Sequence, residues 1–266
     1  MTATSAAEPA PAARRMNATL TVTRMFVVEL VRRWPSVLFM IFMPASYFLV
    51  SYLTTAGDAR VPDQVWTGEG FETVSVLDRD LRAIYLAVLG TSVTSSFAAL
   101  TTVRSSMGVM RRLRLAGYRA GQLLSARLLV LLLITALSTA VFMAIFVPLV
   151  HLKSVAIVTG AFLLVGLIGV AIGTLVGLVV PREFEAFMLV VAIAGVQMAL
   201  GRGDSSAEEY MPYTPAIDAM KAGAFTRTSD LAVQFGQGLL YVAVLFGLVF
   251  VVWNLRTRVW KRGERR

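Results

Sequence analysis

Cysteine is absent from the 266-residue chain, and histidine occurs once, as His151. Disulfides, thiolate metal sites and cysteine nucleophiles are therefore excluded, and a zinc site built on histidines lacks its ligands. Charge is scarce too. Asp, Glu, Lys and Arg make up 15% of the residues, against about 25% in soluble domains. With 57% hydrophobic residues, a core of this length cannot hide its apolar surface unless lipid covers part of it. A soluble single-domain enzyme is not expected. Also missing is the Gly-rich phosphate loop ending in Gly-Lys-Ser/Thr, whose backbone amides would cradle a nucleotide. Any uphill work must draw its energy from another subunit.

What the chain does have is long uncharged runs. Five are of membrane-helix length: Trp34–Leu53, Ala83–Val103, Leu128–Val150, Val155–Val180 and Leu231–Asn254. Runs of about 20 apolar residues mark spans because hydrocarbon forces the backbone to satisfy itself. A shorter run, Ala186–Gly201, carries Gln197; it either crosses with some bilayer thinning or enters and returns. It is counted as a sixth span.

Charge placement supports six. Arg14, Arg15, Arg24, Arg32 and Arg33 precede the first span. Arg104, Arg111, Arg112, Arg114, Arg119 and Arg127 lie between spans two and three without an acid, and six cations follow the last span. The alternate loops are acidic: residues 54–80 hold Asp58, Asp63, Glu69, Glu72, Asp78 and Asp80 against Arg60 and Arg79, and residues 202–230 hold five acids against three cations. With six spans every basic segment falls on one side, as the positive-inside rule requires, and both termini are cytoplasmic. The net charge of +9 is then a consequence of topology, and no nucleic-acid partner is expected.

The expected fold is all-α and integral to the membrane. Residues 1–16 form a disordered cytoplasmic tail, rich in Ala, Pro, Ser and Thr at its start, with no apolar stretch of signal-peptide type behind Arg14 and Arg15. Residues 17–254 form a six-helix domain, and residues 255–266 a basic cytoplasmic tail. Within 17–33, Leu20, Met25, Phe26, Val28 and Leu30 interleave with charges; the segment reads as an interfacial amphipathic helix or as the cytoplasmic start of the first span.

The six runs contain no Asp, Glu, Lys, Arg or His. A proton-coupled transporter normally needs an intramembrane carboxylate, and a Ser–His protease needs a histidine near a buried serine. His151 lies in the turn before Lys153 and reads as an interfacial polar residue. No metal site is expected. Candidates for a translocation path are the hydroxyls Thr91, Thr94 and Ser95, which can otherwise bond their own helix carbonyls, and Gln197, Gln234 and Gln237, which are costly in lipid. Gly169, Gly173 and Gly177 have tandem small-xxx-small spacing and mark a tight helix contact, within the subunit or at a dimer seam.

The loop Arg104–Arg127 interleaves arginines with apolar residues, and Gly117 breaks it into two helical pieces. Arginines alone would hold the loop inside by snorkelling to headgroups. The apolar residues among them suit docking into a groove on a cytoplasmic partner.

In order of features the chain, over roughly residues 17–262, resembles the permease subunit of type-2 ABC exporters. Residues 17–33 are similar to the family's interfacial connecting helix, and Pro44 falls where its first span commonly has a proline. Residues 104–127 resemble its coupling loop, and VPREFEAF (180–187) its short cytoplasmic turn. YMPYTPAIDAMKAG (210–223) resembles the Pro-containing stretch that lies outside before the last span, and WNLRTRVWKR its basic tail. Two positions depart: Arg104-Ser105-Ser106 stands where the family often has Arg-Glu, and Ala116-Gly117 where it often has Thr-Pro. The resemblance implies ATPase-coupling roles for Met107, Met110, Arg111, Arg112, Leu113, Arg114, Tyr118 and Arg119. It also implies a second permease copy or paralogue, and a cytoplasmic ABC ATPase carrying ATP and Mg, in a bacterial inner membrane. The cargo class it suggests is a drug, natural product or lipid-like molecule. A non-transporting membrane scaffold or immunity protein, and a polysaccharide or glycolipid exporter, are the alternative readings.

Overall fold

The structure is a computed structural model that describes residues 23–25, 27–28, 38, 42, 45–46, 48–50, 52–54, 59–67, 70–105, 107–115, 117–118, 120–200, 211–226 and 231–257. A hairpin of β1 (Arg60–Trp66) and β2 (Phe71–Leu77) leads directly into α1 (Asp78–Ser105). There follow α2 (Met107–Leu115), α3 (Ala120–Leu149), α4 (Val155–Val179), α5 (Glu183–Leu200), α6 (Thr214–Phe225) and α7 (Ala232–Thr257). Four helices, α1, α3, α4 and α7, are long and apolar enough to cross a membrane. The chain is a mostly helical, multi-pass membrane protein. The expected tails, most of segment 17–33 and most of Trp34–Leu53 lie outside the described residues. Those that are described within the first run include Ala45, Phe48 and Tyr52, all helical and buried.

Helix α4 is the hub, packing on α1, α3, α5, α6 and α7. The reason is its sequence: Gly166, Gly169, Gly173 and Gly177 leave a smooth face, and α1 lays Ser92, Ser96 and Leu100 along it. Ser96 Oγ donates to the Gly169 carbonyl at 2.8 Å. In lipid, helices gain little from leaving one apolar phase for another, so close backbone approach and such bonds carry the association. The glycine stripe thus packs inside the subunit. Toward the hairpin end, Phe48, Phe142, Phe146 and Phe162 form an interlocked aromatic cluster with ring centroids 5.0–5.5 Å apart. Tyr52 Oη adjoins it and donates to Leu149 O at 2.6 Å, satisfying a carbonyl at the end of α3.

At the arginine-rich end the free carbonyls of α4 are met by neighbouring helices. Arg104, closing α1, donates to Val180 O, and Arg256, in the last turn of α7, donates to Val179 O at 3.2 Å. Cations at a helix C-terminus also oppose its dipole. Arg104→Met should lower thermal stability in detergent by about 1–3 kcal/mol, the worth of a charged hydrogen bond and its stranded carbonyl; an unchanged melting curve would remove this role.

Three expectations are corrected. The fold is not purely α, because residues 54–80, read as a loop, contain the antiparallel hairpin, with Val65 opposite Glu72 and Trp66 opposite Phe71. Residues 202–230, read as an outer loop, contain α6, whose Pro215, Ala216, Ile217, Ala219, Met220 and Ala222 are buried. Arg127, read as a loop cation, sits two turns inside α3, fully buried, with its guanidinium 6.0 Å over the Trp253 ring.

Candidate functional site

Helix α6 is a half-length helix that runs out of the bundle interior. Tyr213, just before it, is buried with its hydroxyl beside the Ser92 and Ser96 side chains. Those serines face Gly169, which lies roughly 20 Å along α4 from its first residue at 1.5 Å per residue. At its other end Ser154 N donates to Gly223 O at 2.8 Å. Gly223 itself sits against Ile157 and Val158, in the first turn of α4. The 12 residues of α6 make about 18 Å, so it covers the distance from mid-bundle to the hairpin end.

A helix starting inside a membrane exposes orphan amides, and here they are dealt with locally. Thr214 N donates to Met211 O, while Ala216 N and Ile217 N donate to Tyr213 O. Pro215 has no N–H to satisfy. This end of α6 therefore offers no open anion cradle.

A small crevice lies between α1, α3 and α4, lined by Thr94, Ser95, Ala98, Leu131, Ile134, Thr135, Ser138 and Val170. Two of the three candidate hydroxyls, Thr94 and Ser95, line it. Thr91 is buried but is not part of its wall. Thr135 and Ser138, from the facing helix, were not anticipated, although their i, i+3 spacing places them on one face. The lining can hydrogen-bond a neutral group, yet it holds no acid, base or nucleophile pair. Acid–base chemistry has no agent there.

The glutamines separate. Gln197 is buried, its Nε2 3.8 Å from Met211 Sδ, and its Oε1 has no partner among the described residues. Gln234 is buried with its Oε1 likewise unpartnered among them. Gln237 faces outward from α7.

Helix α2 supplies the other candidate region. Gly117, with φ +94°, ends it: Tyr118 N donates back to Leu113 O at 3.1 Å. This is the long-range backbone bond of the Schellman arrangement. Leu113 and Tyr118 are half-buried against the cluster of Val103, Leu123 and Trp253. They seat the helix on the bundle, leaving Val109, Arg112 and Leu115 exposed. The side chains of Met107, Met110, Arg111, Arg114 and Arg119 lie outside the described residues. The second helical piece expected after Gly117 is the start of α3 itself.

Two charged residues of the acidic loops meet at the hairpin end. Lys221 Nζ of α6 lies 3.0 Å from Oδ2 and 3.3 Å from Oδ1 of Asp63 on β1, and 5.4 Å from the centre of the Tyr85 ring on α1. Burial alone would lower the lysine pKa, but Tyr85 and Asp63 outweigh it and raise it, so Lys221 stays protonated. Among the described residues no group of His, Asp and Glu could hold a metal ion.

Comparison with known proteins finds no family model that matches the chain and no curated protein that matches it.

Proposed function

We propose that this chain is the permease subunit of an ATP-driven exporter of the type-2 ABC kind, in the bacterial inner membrane, with the arginine-rich end cytoplasmic. Carrying this reading is α2: a short amphipathic helix fixed to the bundle by Leu113 and Tyr118 while Val109, Arg112 and Leu115 remain exposed. An apolar and basic surface held rigidly beside four membrane helices suits transmission of force from a cytoplasmic partner. The lack of a phosphate loop makes that partner the ATPase, with its ATP and Mg. A second copy or paralogue of this chain completes the pathway. The neutral hydroxyl lining of the bundle favours an amphipathic cargo, such as a drug, natural product or lipid-like molecule, over a small ion.

Co-expression with an ABC ATPase from the same genome should yield a membrane complex whose ATP hydrolysis depends on this chain. Replacing Arg111, Arg112 and Arg114 together by Glu should cut that hydrolysis and cargo export at least tenfold while leaving the melting temperature of the permease unchanged. An intact complex with undiminished hydrolysis and export would remove the coupling assignment. Failure to associate with any ATPase would remove the function.

A further inference from the structure

We infer that Asp63, Lys221 and Tyr85 form a latch that holds the hairpin, α6 and α1 together as a closed lid over the bundle, and that the lid opens by separating this ion pair. The inference rests on the transport reading, since it makes the hairpin end the exit.

Three elements distant in sequence meet here. Asp63 and Val65 stand two apart on β1 and so share one face of the strand. Val65 packs with Ala222 and Leu231, fully enclosed. Beside this apolar contact, Lys221 keeps 7% of its side chain exposed and Asp63 18%. Tyr85, itself buried on α1, closes the third side. A two-stranded hairpin is marginal alone, so its position depends on what it grips. The grip is on α6, whose inner end fills the space beside Ser92 and Ser96.

A lid that never moved would be served better by apolar side chains, because a buried ion pair is often no more stabilising than a well-packed hydrophobic pair. The two differ when the contact opens. Separated apolar surfaces face water at a cost proportional to their area, whereas separated Asp and Lys recover hydration. An ion pair therefore closes the lid while keeping the open state within reach.

The absence of cysteine makes the test clean. Ser92→Cys places one thiol behind the lid, beside Tyr213, and Ser105→Cys places a control at the far end. In nanodiscs, where a membrane-impermeant maleimide reaches both faces, Ser92→Cys should label slowly and Ser105→Cys fast. Asp63→Asn or Lys221→Gln should speed labelling at the first position at least tenfold and leave the control unchanged. The paired apolar variant Asp63→Leu/Lys221→Met should stay as protected as the parent or become more so. Protection unchanged in the single variants, at an unchanged melting temperature, overturns the latch. So does fast labelling in the apolar pair. If neither single variant accumulates as folded protein, the pair is a folding element and the latch is likewise overturned. No ATPase enters the measurement, so its outcome is separate from that of the coupling test.

Discussion

Gly173→Ala should cost the bundle more stability than alanine at Gly169, Gly177 or Gly195. A Cβ at this position would run into the backbone of Ser96, which cannot rotate aside as a side chain can. The helices α1 and α4 would have to part, and the Ser96–Gly169 bond of 2.8 Å would go with them. Overpacking ordinarily costs about 1–3 kcal/mol, and more where backbone is struck. The hydrogen bond adds about 0.5–1.5 kcal/mol. Against a total stability of roughly 5–15 kcal/mol, that removes a large share of the margin. The other glycines form a graded control. At Gly169 a Cβ meets Ser92 O at 2.9 Å and Ser95 Cβ at 3.1 Å; at Gly177 the nearest atom is Leu100 Cα at 3.3 Å; at Gly195 nothing lies within 4 Å. Thermal unfolding in detergent should rank the losses 173, 169, 177, with Gly195→Ala neutral or stabilising, since alanine is the better helix former by about 1 kcal/mol. Equal losses at 173 and 195 would mean that the stripe does not set the α1–α4 distance.

That stripe was legible because it is written within one helix at a fixed period, as were the apolar runs that became α1, α3, α4 and α7. Features joining distant segments were not. The hairpin hid inside an acidic loop because counting charges averages over a strand. Its own signals were Val61 and Val65 at period-two spacing, the Val74 and Val76 pair, and the glycine-containing sequence Thr67-Gly68-Glu69-Gly70 between them. Helix α6 is too short to span, and Asp218 and Lys221 lower its hydropathy. Its burial is explained by Ala216, Ala219 and Ala222 at three-residue spacing, which lets neighbours close in. Arg127 ended an uncharged run in the sequence. Its partner Trp253 comes from the other end of the chain, so no local scan could have placed it in the interior. The site divides the same way. Thr94 and Ser95 stood out as a hydroxylated patch, whereas their counterparts Thr135 and Ser138 needed the packing of α3 to matter.

The ion pair that ties α6 to the hairpin should also register in stability, in a pattern that separates charge from packing. Lys221→Met should destabilise by about 3–5 kcal/mol, because Asp63 is left in a mostly enclosed site without its counter-ion. Adding Asp63→Leu should recover most of that loss, since two apolar side chains next to Val65 and Ala222 leave no charge stranded. The signature of a pair is this non-additivity. The pH dependence follows from Lys221, whose pKa lies above its ordinary 10.5 in the fold because Tyr85 and Asp63 outweigh burial. A raised pKa means that the folded state holds the proton more tightly than the unfolded one. Its stabilisation is thus complete below pH 10.5 and is lost as the pH climbs from there through the folded value. Melting curves of the parent should therefore fall more steeply above pH 10.5 than those of the Asp63→Leu/Lys221→Met pair. Parallel curves would show that the lysine charge contributes nothing to holding the lid on the bundle.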